Sequence, residues 1–291
     1  MASNSVEMVF WDVQHGHATY IKTPNGKHIV VDLGIGDYDT RNQNFSPLLQ
    51  LKNHWGVKQL DRLIISHPHL DHIDDILNVG GLYPKVVLLP AHLTRNEIMA
   101  GARAVDRPKF SMYCDIADTY SNPITSDSPE YVGNIDNWGG LRMNHFVPTT
   151  CNHNNFNNHS IVSVFEYAGM KVVIPGDNET PSFEELFKQP GFIERISNAD
   201  ILLAPHHGRE SGYNAEFVSL VNPRLTIVSD GRFCDTSAND RYSRKSRGWG
   251  IYKNNVEVQR KCLTTNSDKE IYVNFGFNDS GEGRFLNVRI K

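Results

Sequence analysis

The residues best equipped for chemistry stand in one short run, Ser66-His67-Pro68-His69-Leu70-Asp71-His72. Three imidazoles and a carboxylate fall within six residues, between an apolar stretch at 60–66 and a segment at 72–79 whose Ile73, Ile76 and Leu77 share one side. That context reads as a strand, a tight turn and an amphipathic helix. Imidazole nitrogen and carboxylate oxygen together suit zinc, manganese or iron, and strand ends in α/β sheets are where ligands bind. In so tight a turn, alternating side chains can address two neighbouring positions. His67 and His69 are therefore expected to take one metal, and Asp71 and His72 another.

Two further clusters have the same placement. Gly176-Asp177 closes the apolar run Val172-Val173-Ile174-Pro175, where glycine lets the backbone turn sharply and approach a site closely, and Asp177 is placed to bridge two metals. Pro205-His206-His207-Gly208 follows the apolar run at 200–204. Gly-Asp alone is a common turn, and a His pair alone suits a surface loop as well as a ligand. All three clusters, each at the end of a short apolar strand and in this order, are far more specific than any one of them.

The elements that must position these groups alternate between strand and helix, an α/β pattern. Strands are expected at 6–12, 19–23, 28–32, 60–66, 85–89, 160–166, 170–175, 200–204, 225–229, 259–263, 270–274 and 285–290. The turn Asn25-Gly26 marks the second and third as a hairpin. Helices are expected at 45–54 (capped by Asn44 or Ser46), 72–79, 182–189, 215–221 and 242–253, the last in spite of Gly248 and Gly250. From 93 to 144 the chain is polar, carries Tyr113, Tyr120, Tyr131 and Trp138, and shows no long periodic segment; it reads as an insertion in one domain spanning 1–291.

Composition sets the bounds. With 291 residues, 39% hydrophobic and 21% charged, the chain can bury a core. A net charge of −4 argues against a strongly basic DNA-coating protein, while leaving room for a local basic patch. No apolar run reaches the roughly 18 residues of a membrane span, and the start Met1-Ala2-Ser3-Asn4-Ser5-Val6-Glu7 lacks the basic and apolar regions of a secretory signal. Cys114, Cys151, Cys234 and Cys262 are widely spaced, so reduced thiols and a cytoplasmic location without membrane partners are expected.

The succession His-x-His-x-Asp-His, Gly-Asp, His-His-Gly resembles the metallo-β-lactamase superfamily. Within it, the chain most resembles the branch holding the hydrolase domain of the DNA-uptake channel ComEC and the choline-phosphate esterases of cell-wall teichoic acid. The branch's opening Asp-Val-Gly-Gln-Gly-Asp-Ala is echoed by Asp12-Val13-Gln14-His15-Gly16-His17-Ala18, and its Val-Asp-x-Gly by Val31-Asp32-Leu33-Gly34. Its Asn-x-x-Ser-Val strand start is echoed by Asn157-Asn158-His159-Ser160-Ile161-Val162.

The resemblance, over residues 6–230, implies an αββα sandwich of two mixed sheets flanked by helices, with the site at one edge. It implies two divalent metal ions, zinc first and manganese second. His67 and His69 would hold one, Asp71, His72 and His207 the other, and Asp177 would bridge. His207 is preferred to His206 as ligand. Catalytic roles fall to Asp71 and to His206, which would stabilise or protonate a phosphate oxygen. Asp32 would be buried and orient the ligands. The chain departs from the pattern in three places. Many members carry a further metal-binding His upstream of the bridging Asp, where this chain offers His153, Asn155 or His159, or else a water. His17 replaces the branch's opening Asp, as an orienting group or a substrate contact. Asp240-Arg241-Tyr242-Ser243-Arg244-Lys245-Ser246-Arg247 replaces a later Gly-His-Pro-like segment.

The chemistry implied is hydrolysis by hydroxide drawn from water between the metals. A phosphodiester or nucleic-acid substrate leads, since Arg244, Lys245 and Arg247 suit phosphate and the aromatics of 93–144 suit base stacking. A hydrolase of lactones, amides or thioesters uses the same centre. A non-enzymatic metal-binding sensor or interaction module should have lost a ligand, whereas all six core positions are present.

Overall fold

The computed structural model describes residues 4–37, 44–231 and 238–291. Cys234 and residues 1–3, on which two of the expectations above partly rest, lie outside them. Strands β1 (Ser5–Phe10), β2 (Thr19–Lys22) and β3 (His28–Val31) open the chain as an antiparallel meander. The short pair β4 (Gly36–Asp37) and β5 (Asn44–Phe45) follows. Helix α1 (Pro47–Asn53) starts where the Ser46 hydroxyl accepts the Leu49 amide and proline fills the first turn. Next come β6 (Arg62–Ile64), α2 (Leu70–Ile73), β7 (Val87–Leu88), α3 (Arg95–Ala100) and α4 (Arg107–Thr119). The second half runs β8 (Arg142–Phe146), β9 (Val162–Tyr167), β10 (Met170–Ile174), α5 (Thr180–Leu186), α6 (Phe192–Ile196), β11 (Ile201–Leu203), α7 (Ala215–Val221) and β12 (Leu225–Val228). It closes with α8 (Asn239–Lys245), β13 (Trp249–Lys253), β14 (Val256–Arg260), β15 (Cys262–Thr264), α9 (Thr265–Asp268), β16 (Ile271–Phe277) and β17 (Arg284–Ile290).

Nine strands form one mixed sheet, ordered β14-β13-β17-β16-β1-β2-β3-β6-β7, and six form the other, ordered β15-β12-β11-β10-β9-β8. Alternation along each strand sends side chains to two faces. Val6, Met8 and Phe10 of β1 meet Phe165, Val172, Ile174 and Ile201 of the second sheet in an apolar layer between the sheets. Val9, Val30 and Leu63 face the other way, onto Leu48 and Leu51 of α1 and Phe110 and Tyr113 of α4. Behind the second sheet, Val173 and Leu202 pack on Phe183, Phe192 and Phe217. The result is the αββα sandwich expected from the resemblance. No helix among the described residues is long and apolar enough to cross a membrane.

Three expected elements differ. The helix at 72–79 breaks after α2, because the bonds that would continue it are taken: the Asp71 carbonyl accepts from His17 N–H, and Asp75 N–H goes to the Leu33 carbonyl. The helix at 242–253 ends with α8. Gly248 turns the chain at φ 105°, and Asn254 and Asn255, both left-handed, fold β13 onto β14 as a hairpin. The stretch 93–144 is not irregular throughout. It contains α4, the longest helix among the described residues, whose Phe110, Tyr113, Cys114 and Ile116 are buried.

Topology then places the loops. β3, β6 and β7 run parallel, as do β10, β11, β12 and β15. Each group therefore sends its carboxyl ends to one edge, the usual place for a ligand in such sheets. Bonds between the two groups of loops, Ile161 N–H to the Ser66 carbonyl and Ser229 Oγ–H to the Gly16 carbonyl, lock these ends together.

Candidate metal centre

Each motif residue sits just past a strand of this edge: Asp32 after β3, His67 to His72 after β6, Asp177 after β10, and His206 and His207 after β11. Asp71, His72, Asp177 and His207 each offer one ligand atom, all within 4.8 Å of one another. His72 Nε2 lies 3.3 Å from Asp177 Oδ1 and 3.3 Å from His207 Nε2. His207 Nε2 is 3.2 Å from Asp71 Oδ2 and 3.3 Å from Asp177 Oδ2. His67 Nε2 is 3.9 Å from Asp177 Oδ2 and 2.9 Å from His69 Nδ1. Four of the six residues expected as ligands thus form one close cluster, and His67, with His69 beside it, adjoins that cluster at Asp177.

Local backbone explains the aim of these side chains. Gly176 has φ 60°, and a Cβ there would stand 2.7 Å from Ser160 Cβ and 3.0 Å from Ser66 Cβ, so the Asp177 turn presses directly on the His67 loop. His206 and His207 are both left-handed, at φ 48° and 53°, and Gly208 continues the run at φ 76°. Such a conformation is costly for side chains with a Cβ and is typical of functional sites. It separates the two histidines. His207 donates from Nδ1 to the Ser229 carbonyl at 2.9 Å and turns Nε2 to the carboxylates. His206 turns Nδ1 to Glu179 Oε1 (3.2 Å) and the Ser211 hydroxyl (2.9 Å), leaving Nε2 3.9 Å from Asp177 Oδ2. His207 thus faces the carboxylates, while His206 faces Glu179.

Asp32 is fully buried and left-handed, at φ 59°. It accepts from His72 Nδ1 at 2.8 Å, His17 Nδ1 at 3.0 Å, Ser66 N–H at 2.6 Å and Ser66 Oγ–H at 2.8 Å. These contacts fix the tautomer of His72, so that its Nε2 lone pair faces the cluster. His17, also buried, is spent on Asp32 and Thr19 and belongs to this support.

The electrostatics are those of a cation site. Burial opposes charge on His72, yet Asp177, Asp32 and Asp71 outweigh it and hold the imidazole well above its ordinary pKa. Burial likewise opposes charge on His207, but Asp177 and Asp71 raise it to about 9. Burial would raise Asp71 and Asp177; the neighbouring His72 and His207 reverse the sign and keep both carboxylates below their ordinary range. His67 is driven well below its usual value, first by burial and then by His72 and His69. A buried cluster that retains protons on two imidazoles beside ionised carboxylates is one in which a divalent ion can replace those protons. Two imidazoles and two carboxylates, with ligand atoms within 4.8 Å of one another, fit such an ion chemically.

Other expected residues go elsewhere. His153 donates to Glu97 Oε1 at 2.7 Å, Asn155 Nδ2 to Glu179 Oε2 at 2.8 Å, and His159 pairs with His92, so none of the three completes the site of His67 and His69. Asn157 is there instead, bonded to His69 and 3.5 Å from His206 Nε2. Arg247 reaches the carbonyls of Asn222 and Ala199, which precede β12 and β11 and so lie at the end of the sheet away from the centre. Lys245 reaches Ser219 of α7, and Arg244 bonds within its own helix to the Asp240 carbonyl. The expected phosphate-binding trio is therefore corrected. In place of it, Arg209 stands beside the centre, with NH1 3.3 Å from His206 Nε2. Tyr113 and Trp138 are fully buried and Tyr120 bonds the Pro84 carbonyl, so stacking on bases is not their task. His15, exposed and 3.3 Å from Asp71 Oδ2, joins the rim, as do Glu179 and Arg209. Glu179 and Arg209 stand just beside a motif, and His15 stands within the opening run but at a position to which no role was given.

The sequence profile of the Metallo-beta-lactamase superfamily matches residues 11–229. The chain is 23% identical over 230 residues to the uncharacterized protein YcaI of Escherichia coli, covering 78% of this chain and 25% of that protein. It is 24% identical over 245 residues to ComE operon protein 3 of Bacillus subtilis, covering 79% and 29%. It is 23% identical over 216 residues to a UPF0173 metal-dependent hydrolase of Saccharolobus solfataricus, covering 73% and 80%. The chain thus spans about a quarter of the length of the first two. The matched stretch takes in every motif from Trp11 to Ser229, and with it most of the chain. This protein accordingly belongs to the metallo-beta-lactamase superfamily.

Proposed function

We propose that the chain, acting as one domain over residues 1–291, is a binuclear phosphodiesterase with nucleic acid as its best-fitting substrate class. The observation that carries this reading is the meeting of His72 Nε2 and His207 Nε2 with Asp71 and Asp177 at 3.2–3.9 Å, flanked on the Asp177 side by His206 and Arg209. By donor chemistry, Asp71, His72 and His207 would hold one ion, His67 and His69 the other, and Asp177 both. Zinc is first for so imidazole-rich a set, and manganese second. When bound, the ions lower the pKa of water and neutralise charge gathering on phosphoryl oxygens.

The chain's own residues do the remaining work. Asp32 and the Ser229 carbonyl hold His72 and His207 in the tautomers that present Nε2. Asp71, partly exposed, aligns His207 and faces the open side. Glu179 and Ser211 hold His206 by Nδ1, leaving Nε2 to hydrogen-bond a phosphate oxygen or hand a proton to the leaving group. Arg209 offers a planar guanidinium suited to phosphate. The relative named for the ComE operon and the relative named a metal-dependent hydrolase both agree with this reading.

The test is a substrate panel. Metal-loaded protein with Mn²⁺ or Zn²⁺ should cleave bis-p-nitrophenyl phosphate or single-stranded DNA, and Asp71→Ala should abolish cleavage. Hydrolysis confined to lactones or β-lactams would overturn the proposal.

A further inference from the structure

A second histidine cluster lies outside the centre described above. His92 sits between β7 and α3, while His153 and His159 belong to the connection from β8 to β9. One ring nitrogen of each lies within 4.8 Å of the other two. The rings are mutually adjacent, with centroids 4.8 Å apart for His153–His159, 4.9 Å for His92–His159 and 5.8 Å for His92–His153. His92 Nε2 and His159 Nδ1 approach to 2.8 Å, a contact in which one shared proton satisfies only two of the three rings.

The surroundings are those of ligating imidazoles. His153 donates from Nδ1 to Glu97 Oε1 at 2.7 Å, and Glu97 is itself fixed by its reciprocal cap with Thr94 at the start of α3. A carboxylate on one ring nitrogen sets the tautomer and frees the other nitrogen as a donor to a metal. His159 is fully buried; its Nδ1 meets His92, and its ring also lies against the backbone carbonyls of Asn152 and Pro148.

We propose that His92, His153 and His159 form a third, mononuclear metal site for a divalent ion of the zinc class, with Glu97 orienting His153. Three neutral imidazoles are a common zinc donor set, completed by water. Such an ion ties the segment before α3 to the connection between β8 and β9. That connection also carries Asn157, which touches His69 and His206. The third ion therefore braces one wall of the binuclear centre without belonging to it.

The experiment counts ions in the full chain. Metal-free protein is titrated with Zn²⁺ against a competing chelator, in an Asp71→Ala/Asp177→Ala background that disables the binuclear centre. One tight equivalent should remain, and Co²⁺ substituted there should give the visible absorption of a tetrahedral nitrogen-ligated ion. His153→Ala should remove both the equivalent and the absorption; this ring is 37% exposed, so its loss spares the core. In the otherwise wild-type chain, His153→Ala and His92→Ala should each lower the zinc count by one, which serves if the background folds poorly. No zinc retained in a folded background, or a count unchanged by both histidine variants, overturns the proposal.

Discussion

Asp32 acts one step removed from where ions would sit. It gathers four donors, from His72, His17 and both polar groups of Ser66, and so decides where His72 points. Losing such a partner typically costs about 10–100-fold in metal affinity. Asp32→Ala should therefore weaken zinc retention by that order in a chelator competition; unchanged retention would contradict the role. A contrast between two arginines tests the corrected substrate contacts. Arg209→Ala should raise KM for a phosphodiester more than it lowers kcat, whereas Arg247→Ala should leave both alone and lower the melting temperature, since it removes bonds to Asn222 and Ala199. The histidine and aspartate cluster was legible because His67 to His72 compresses its chemistry into a few consecutive residues. His15, Glu179, Arg209 and Asn157 were not, because nothing in their own neighbourhood states which distant side chain they meet. Arg244, Lys245 and Arg247 were misplaced for the same reason: charge is visible in a sequence, but the end of the sheet it decorates is not.

At the scale of elements, the site depends on turns more than on helices. Gly176 is where the Asp177 loop comes closest to Ser66 and Ser160. A side chain there pays about 1–2 kcal/mol for the left-handed backbone, before any clash with the two serines. Gly176→Ala should lower the melting temperature by several degrees and reduce bound metal together with it. A variant as stable and as metal-rich as the parent would show that the close approach is not required. Short apolar strands ending at polar clusters could be read from alternation and length. The end of α2 could not, because it is set by His17 and Leu33 capturing the backbone groups that would extend it. Nor could α4 within 93–144, whose buried face of Phe110, Tyr113, Cys114 and Ile116 is embedded in polar sequence and defined only by what it packs against.

Across the whole molecule, two sheets of parallel-strand loops are held edge to edge, so stability and site assembly are coupled. Half-buried His145 on β8 makes this coupling measurable. Burial first, then Arg62, lower its pKa to about 3, while the unfolded chain keeps a value near about 6.5. Its contribution is complete above the unfolded value and is lost as pH falls through that window towards about 3, because the unfolded state then binds the extra proton. The slope is at most about 1.4 kcal/mol per pH unit. His145→Gln should flatten the acid limb of a pH–stability profile recorded by chemical denaturation; an unchanged limb would remove His145 from the account. The central claim is that Asp177 unites two ions into one phosphodiester-cleaving centre. The most direct measurement is hydrolysis of bis-p-nitrophenyl phosphate by metal-stripped protein on return of Zn²⁺ or Mn²⁺, compared between the parent chain and Asp177→Ala. The account predicts activity restored in the parent and absent in the variant. Restored activity of equal size in both, or none in a parent shown to have rebound its metal, would contradict it.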